Sequence, residues 1–374
     1  MRACVTGATG FIGAHVVARL ARFAERRGDP PVRVTVRNPA RLEALTGIEV
    51  DAVRADVLDR RSMRRALDGC DTLFHTAGLV ASRPRREVWR VNAVAPRIAV
   101  ECAADVGVRR VIVTSSVGAI GPSPRGRPAD ERTPYPEHGV GLTYTDAKHE
   151  GEVAALLTGE RRGVEVVVVN PAYVLGAALN RELPGETSTR IVSNYLRGRL
   201  PAIMDAYTNI VDVEDVADGH LSAARRGKPG ERYILGGTNM RWSEVIERVG
   251  KLSGRHHPLI VLPNEIATAV ELLARAGVSR VPGMPLEGIR LMAPDWRYSS
   301  ARAKRELGYR PRSATETLAR TVDWCLELID SGRLASSRSK SFDLMAAGVE
   351  VGDRLQLLLP LKLAGRLAGR KVVI

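Results

Sequence analysis

The sequence predicts an α/β fold in which a doubly wound parallel sheet is followed by a smaller C-terminal α/β lobe. Over residues 1–170, short Val- and Ile-rich runs alternate with Ala-, Arg- and Leu-rich segments of helical length. Near-continuous aliphatic runs are typical of strands buried on both faces of a parallel sheet, and their alternation with helices predicts βαβ units. After about residue 170 the strands become fewer and the segments more irregular, which favours a second, smaller unit.

Each Val- and Ile-rich run predicts a strand, and the longer segments between these runs predict helices. The predicted strands cover residues 2–5, 32–36, 50–54, 72–75, 111–114 and 165–169, and the predicted helices cover residues 14–27, 60–68, 86–105 and 144–157. Farther on, "RRGKPGERYILGG" predicts a turn, a strand and a turn, and "WSEVIERVGKLSG" predicts an amphipathic helix that ends at a glycine. The Pro- and Gly-rich residues 121–141 predict a long loop, and loops of that length are often functional. We divide the chain into residues 1–170, 171–330 and 331–374.

Composition excludes several classes of protein. Of the 374 residues, 44% are hydrophobic and only 4% aromatic, which predicts a packed aliphatic core. The net charge is +14, but the basic residues are spread along the chain and no nucleic-acid motif accompanies them, so we expect no nucleic-acid partner. The four cysteines and seven histidines show no metal-ligand spacing, and we predict no metal. Without a signal peptide or a long apolar run, we expect a cytoplasmic protein.

The stretch "VTGATGFIG" follows the first strand and opens the first helix. Glycines at this T-G-x-x-G-x-x-G spacing allow a tight turn and let the backbone approach a pyrophosphate at the helix N-terminus. The strand–turn–helix context is the one that a dinucleotide-binding turn requires. The sequence therefore predicts a cofactor-binding turn formed by Gly7, Gly10, Phe11, Ile12 and Gly13.

The end of the second strand predicts which dinucleotide binds. An acidic residue there would bind the ribose 2′-hydroxyl of NAD, whereas an arginine accommodates the 2′-phosphate of NADP. Here Arg37 ends the strand and Arg41 lies one turn farther on, so we predict NADP, with NAD as the alternative. Asp56 and Val57 follow the third strand and are expected to contact the adenine.

Candidate catalytic residues follow the fifth strand. Ser115 and Ser116 lie at its C-terminal end, where ligands bind in open α/β sheets. Tyr144 starts a predicted helix, and Lys148 lies one turn farther on along the same face. The spacing Tyr-x-x-x-Lys is common by chance, so the five residues "YTDAK" indicate chemistry only together with the serine and the glycine turn.

Six motifs occur in order: "TGATGFIG", "ADVLD", "FHTAG", "TSSVGAIG", "YTDAK" and "NPAYVLG". With them the chain resembles the extended and atypical short-chain dehydrogenase/reductases, the NAD-dependent epimerase/dehydratase superfamily, over roughly residues 1–330. The stretch from "IVSNYLRGRLP" to "RYILGG" resembles the dihydroflavonol-4-reductase-like branch, which includes hopanoid-associated sugar epimerase-like proteins. Similar segments occur in 3β-hydroxysteroid dehydrogenase-like reductases.

The resemblance implies a Rossmann domain that binds NADP over residues 1–170 and mainly a substrate-binding lobe over residues 171–330. It implies a catalytic set of Ser116, Tyr144 and Lys148, with Ser115 as the alternative serine. It also implies cofactor contacts by Tyr144 and Lys148 and by residues of two further motifs, namely Thr76, Ala77, Gly78, Pro171 and Val174.

We expect Lys148 to tune the acidity of Tyr144. A cation about 4 Å from the phenol, at an effective dielectric near 20, lowers the tyrosine pKa from about 10 toward about 7. One segment departs from the family pattern "N-V-x-G-T": it reads "NAVAP", Asn92–Pro96, and Pro96 removes a backbone donor early in the helix. Asn92 is still assigned to the cofactor region. The serine motif also lacks the acidic pair found in sugar dehydratases, which argues against dehydration.

The predicted function is an NADP-dependent oxidoreductase that interconverts a ketone or aldehyde and an alcohol by hydride transfer. One alternative is a sugar epimerase, acting on a nucleotide sugar or a hopanoid-associated sugar, that uses NAD or NADP transiently. The alternative from another class is a non-catalytic dinucleotide-sensing regulatory protein. Such a protein is expected to lose the tyrosine or the lysine, and both are present.

The last residues predict a basic amphipathic helix behind a linker, "SGRLASSRSKS". In "LPLKLAGRLAGRKVVI" the basic residues Lys362, Arg366 and Arg370 lie four apart with leucines between them. Such a helix can lie on an anionic membrane surface, which would make the protein membrane-peripheral. The alternatives are docking on its own domain or on a partner subunit in a homodimer.

Overall fold

The computed structural model describes residues 2–81, 83–184, 188–263, 294–334, 340–367 and 372–373. Its strands, in chain order, are β1 (Ala3–Thr6), β2 (Val32–Val36), β3 (Val50–Arg54), β4 (Thr72–His75), β5 (Arg110–Thr114), β6 (Glu165–Pro171), β7 (Tyr173–Leu175), β8 (Ala202–Met204), β9 (Tyr207–Asp212), β10 (Arg232–Leu235), β11 (Thr238–Arg241) and β12 (Ile260–Leu262). The six strands predicted for residues 1–170 are confirmed within two residues at each end.

The helices are α1 (Phe11–Arg27), α2 (Arg60–Leu67), α3 (Arg85–Trp89), α4 (Ala95–Asp105), α5 (Thr143–Arg162), α6 (Arg190–Leu196), α7 (Val213–Arg226), α8 (Trp242–Ser253), α9 (Ala314–Asp330), α10 (Lys340–Arg354) and α11 (Leu359–Leu367). A π-helical turn, Arg90–Val94, joins α3 to α4 within the predicted helix 86–105. The helix predicted from "WSEVIERVGKLSG" is α8, and it ends at Gly254 in the left-handed conformation.

Seven parallel strands form the main sheet in the order β10-β6-β5-β4-β1-β2-β3. The sheet is covered on both faces, because neighbouring residues of β5 enter different cores. Ile112 packs in a core with residues of α1 and α7, whereas Val111 and Val113 pack in a core with residues of α2 and α4. The predicted doubly wound parallel sheet is confirmed. Strand order reverses between β1 and β4, so the carboxyl ends of these strands flank the crevice where such sheets bind ligands.

The region 171–330 contributes to this sheet as well as to the lobe. β10 completes the sheet by pairing with β6, and α7 packs against α1. In the described part of this region, the sheets β11-β9-β7 and β12-β8 and a separate core around Trp324 form the lobe. A boundary drawn at residue 170 therefore separates β10 from β6, the strand beside it. This happens because the strands β7, β8 and β9, which lie in the small sheets of the lobe, come between β6 and β10 in the sequence.

Two features of the sequence fall partly outside the described residues. Residues 335–339 of the predicted linker and Arg370 are not described. The predicted tail helix corresponds to α11, and α10 precedes it. In the parts of the chain that the structure describes, no helix is both long and apolar enough to cross a membrane.

Candidate functional site

The turn between β1 and α1 requires glycine at two positions. Gly7 has a φ of +67°, and a Cβ there would lie 2.6 Å from the Cα of Ala77, just beyond β4. A Cβ on Gly13 would overlap the carbonyl oxygen of Gly7 and lie 2.6 Å from the Thr76 hydroxyl. The Thr76 hydroxyl in turn donates to the Thr6 carbonyl oxygen at 2.6 Å. The turn therefore packs directly against the residues after β4, at the edge where strand order reverses.

The N-terminus of α1 is suited to an anion. Gly10 is its N-cap and provides no side chain to cap the helix, and the first turn, which includes Phe11 and Ile12, holds no acidic residue. The N–H groups of a first helical turn have no partner within the helix, and the helix dipole favours negative charge there. The turn and helix therefore fit the pyrophosphate of a dinucleotide.

The residues predicted to bind the adenosine half lie along the same edge of the sheet. Arg37 follows β2 and is exposed, and its side chain makes no hydrogen bond or ion pair with the described residues. Asp56 and Val57 follow β3, and the Asp56 carboxylate accepts the N–H of Leu58 at 2.9 Å. Because parallel strands end at one edge, these residues and the glycine turn share one side of the sheet.

Ser116 and Tyr144 meet just beyond β5. Ser116 caps a short 3₁₀ turn, Val117–Ala119, and its hydroxyl accepts the Gly118 N–H at 3.1 Å. Tyr144, in the first turn of α5, lies close enough to the Ser116 side chain for that group to lower its pKa against the effect of burial. Ser115 instead is buried, and its hydroxyl has no hydrogen-bond partner among the described residues. The structure thus pairs the tyrosine with Ser116.

Lys148 is buried one turn after Tyr144. Its ammonium donates to the carbonyl oxygen of Thr114, the last residue of β5, at 3.0 Å. A Cβ on Gly78 would lie 3.1 Å from the Lys148 nitrogen, so a glycine at this position leaves room for the ammonium. Burial lowers the pKa of Lys148 to about 8, and the carboxylate of Glu152 opposes that shift. Lys148 is therefore cationic at neutral pH and loses its charge as pH rises through about 8.

The expectation that Lys148 lowers the pKa of Tyr144 toward about 7 is wrong for this structure. Burial raises the pKa of Tyr144 to about 12, and the Ser116 side chain opposes the shift only in part. The physical reason is that burial removes water that would stabilise the charged phenolate, and the nearby groups stabilise the phenolate by less than that water would. The Lys148 ammonium, moreover, is directed at a backbone carbonyl.

Asn92, in the π-helical turn, holds the segment after β4. Its side-chain amide donates to the carbonyl oxygens of Leu79 and Val88, both at 2.9 Å, and its oxygen accepts the Leu79 N–H at 3.2 Å. These bonds fix the backbone beside Gly78. Pro96 lies in the first turn of α4, directly after the π-helical turn, and its missing N–H removes a backbone donor there.

The remaining predicted contacts lie where the chain leaves the sheet. Pro171 ends β6 opposite Leu235 of β10. Val174 belongs to β7 and pairs with Val211 in the sheet of the lobe. These two residues therefore mark the junction between the main sheet and the lobe, next to the crevice.

A buried polar network behind the lysine was missed by sequence reasoning. Glu152, one turn after Lys148, accepts a hydrogen bond from Asn170 at 2.7 Å and forms an ion pair with Arg232 at 3.0 Å. The Asn170 amide also donates to the carbonyl oxygen of Ser116 at 3.0 Å. A signal was present for Glu152, because positions i and i+4 share a helix face. Nothing local indicates Arg232, which belongs to β10.

The long loop 121–141 forms a wall beside the first turn of α5. The Tyr135 hydroxyl donates to the Asp146 carboxylate at 2.5 Å, and the Tyr135 ring stacks on His149 at 3.9 Å between centroids. The Tyr298 hydroxyl donates to the carbonyl oxygen of Gly121 at 2.7 Å and ties the start of the loop to the lobe. The loop is thus held next to Tyr144 by both units of the chain.

These features define a class of protein. A glycine turn at the switch point of a parallel sheet, with serine, tyrosine and lysine beyond the next strands, is typical of enzymes that use a nicotinamide dinucleotide. The profile of the NAD dependent epimerase/dehydratase family matches residues 3–236, and the chain belongs to this family. It is an NAD(P)-dependent oxidoreductase of the short-chain dehydrogenase/reductase superfamily.

Two curated relatives are similar over most of their lengths. "Sterol demethylase protein B" of Methylococcus capsulatus is 33% identical over 87% of this chain and 99% of its own. "Putative dihydroflavonol 4-reductase" of Synechocystis sp. is 32% identical over 86% of this chain and 93% of its own. Among solved structures, the crystal structure of gox2253 matches with a TM-score of 0.76 and 31% identity, over 89% of this chain and 99% of its own. The predicted family and its resemblance to dihydroflavonol 4-reductases are confirmed.

Proposed function

We propose that the protein is an NADP-dependent oxidoreductase that interconverts a carbonyl group and an alcohol on a small, fairly apolar substrate. The observation that carries the proposal is that Tyr144 lies beside the Ser116 side chain, with the Lys148 ammonium one turn away on the last carbonyl oxygen of β5, at the crevice next to the glycine turn. Both curated relatives have names that refer to ring compounds without permanent charge, which supports an apolar substrate.

In the direction of reduction, Tyr144 is the general acid. Because its pKa is raised to about 12, its hydroxyl keeps the proton throughout the neutral range and can donate it to the substrate oxygen. Ser116 orients that oxygen through a second hydrogen bond. A bound nicotinamide supplies the hydride in reduction and, when oxidised, a positive charge that favours the phenolate. Lys148, cationic below about pH 8, adds positive charge near the same place, and its ammonium would hold the ribose of a bound nicotinamide nucleotide.

The direct test is a screen of ketones, aldehydes and alcohols with both cofactors, monitored at the absorbance of the reduced nicotinamide. We expect net consumption of NADPH with at least one carbonyl substrate. The family also includes epimerases, which return the hydride to the same substrate and show no net consumption. Conversion of a sugar substrate without net change of the cofactor would therefore assign the epimerase alternative instead.

Arg37 is the residue proposed to select NADP. A guanidinium can bind a 2′-phosphate with two parallel hydrogen bonds, and this side chain is exposed at the end of β2. We expect Arg37→Ala to weaken NADPH binding by at least about tenfold while NADH binding is nearly unchanged. Dissociation constants from nucleotide fluorescence titration give the result without an activity assay, and Arg22→Ala, an exposed arginine on α1, is the control. Equal losses for both cofactors, or tighter binding of NADH by the wild type, would contradict NADP selection.

Glu152 is proposed to position Lys148 and maintain its charge. Its carboxylate raises the pKa of Lys148 against the effect of burial. In Glu152→Gln the lysine pKa should fall below about 8, so the rate of reduction should decline at a lower pH than in the wild type. The pH profile of the maximal rate measures this, and Glu150→Gln, exposed on the same helix, is the control. A lower melting temperature with an unchanged pH profile would leave Glu152 a purely structural role.

A further inference from the structure

The two C-terminal helices expose a large apolar surface, which we call the leucine tip. Leu355 and Leu357, in the turn between α10 and α11, are 64% and 68% exposed, and Leu344 on α10 is 76% exposed. The surface also includes Met345, Val351, Leu359, Leu361 and Leu363. Monomeric soluble proteins rarely expose contiguous apolar patches larger than a few hundred Å², and this short segment exposes eight large apolar side chains.

The C-terminal segment that carries the leucine tip makes tertiary contacts with the rest of the protein. Ala346 is buried, and Asp343 lies 3.7 Å from the guanidinium of Arg199 in the lobe. After α11 the chain returns to the lobe, where the N–H of Val261 in β12 donates to the carbonyl oxygen of Val372 at 2.8 Å. The tail thus contacts its own lobe at these points, and the leucines of the tip remain exposed.

The charge of residues 354–374 favours an anionic lipid surface as the partner of the leucine tip. Residues 354–374 contain five basic residues and no aspartate or glutamate. Two of these cations are paired within the helices, Arg354 with Glu350 at 2.9 Å and Lys362 with Asp353 at 2.6 Å. The other three follow in the sequence within and after α11. A second copy would bring the same positive charge to the contact, which opposes self-association, whereas an anionic lipid surface complements it.

We propose that the leucine tip inserts into the surface of an anionic lipid bilayer and makes the enzyme a peripheral membrane protein. The apolar side chains would enter the boundary between headgroups and acyl chains, while the basic residues contact anionic headgroups. Two signals of different kinds, apolar insertion and charge, are what stable peripheral attachment requires. The lobe contacts of Asp343 and Val372 then fix the enzyme close to the bilayer.

The test is flotation of the full-length protein with vesicles of phosphatidylcholine alone and of phosphatidylcholine with 30% phosphatidylserine. We expect binding to the anionic vesicles that decreases with added salt. Leu355→Ser/Leu357→Ser should lower the partition coefficient at least about tenfold, because both side chains would leave the acyl region. Leu157→Ser/Leu252→Ser, two exposed leucines on α5 and α8, is the matched control and should bind as the wild type does.

Three results would overturn the proposal. The first is no binding of the full-length protein to anionic vesicles at low salt, and the second is an equal loss of binding in the control variant. The third is a dimer that forms through the same leucines: a protein that elutes as a dimer, becomes a monomer in Leu355→Ser/Leu357→Ser and binds no vesicles would assign the surface to a second copy.

Discussion

Tyr144→Phe is expected to lower the maximal turnover rate by about 10²–10⁴-fold, the range that general acid–base groups contribute. The substitution keeps the ring and removes only the hydroxyl beside Ser116. Cofactor binding should be retained, because the glycine turn and Lys148 are untouched. The deciding measurement is turnover at saturating cofactor and substrate, with NADPH affinity determined separately.

The control for this variant is Tyr207→Phe, which removes a tyrosine hydroxyl on β9 of the lobe. It should leave turnover within a few-fold of the wild type. If Tyr144→Phe also stays within a few-fold, Tyr144 is only a residue on the face of α5, and the catalytic assignment fails.

Lys148→Met is expected to have a larger effect, since it removes both the positive charge and the proposed ribose contact. It also leaves the carbonyl oxygen of Thr114 without its ammonium donor, and an unsatisfied buried group costs about 1–3 kcal/mol. We expect weaker NADPH binding together with a lower turnover rate. The wild-type decline in reduction as pH rises through about 8 should disappear in the residual activity, because the group that loses its charge there is gone.

Titrations of NADPH binding and pH profiles of the variant measure these effects, and Lys251→Met, exposed on α8, is the control. Circular dichroism establishes whether the variant is folded. A folded Lys148→Met enzyme that binds NADPH as tightly as the wild type would contradict the ribose contact, and one that keeps the decline near pH 8 would assign that titration to another group.

The hydrogen bonds and ion pairs around Lys148 involve residues of α7 and β10, which lie far from it in the sequence. Thr114 bonds to the buried His220 of α7 at 2.8 Å, and burial lowers the pKa of this histidine to about 4, so it is neutral at physiological pH. The Glu152 network likewise depends on Arg232 of β10. Both elements come from residues 171–330, so the site depends on the return of the chain to the main sheet.

Much of the fold could be predicted because its determinants are local. The strands are uninterrupted aliphatic runs, and a strand in the centre of a parallel sheet needs no information beyond its own residues to be identified. The glycine turn was predictable for a similar reason: Gly7 adopts a positive φ, and Gly13 leaves no space for a side chain. Tyr144 and Lys148 share a helix face because they lie one turn apart.

Tertiary structure decided what depends on distant parts of the chain. The sequence alone placed a serine, a tyrosine and a lysine near a dinucleotide turn, and it identified the family. Only the folded chain pairs Tyr144 with Ser116 rather than Ser115, places Glu152 against Arg232 and brings β10 beside β6. The pKa of Tyr144 belongs here too, because desolvation depends on every atom packed around the phenol, and packing between residues far apart in sequence has no local signature.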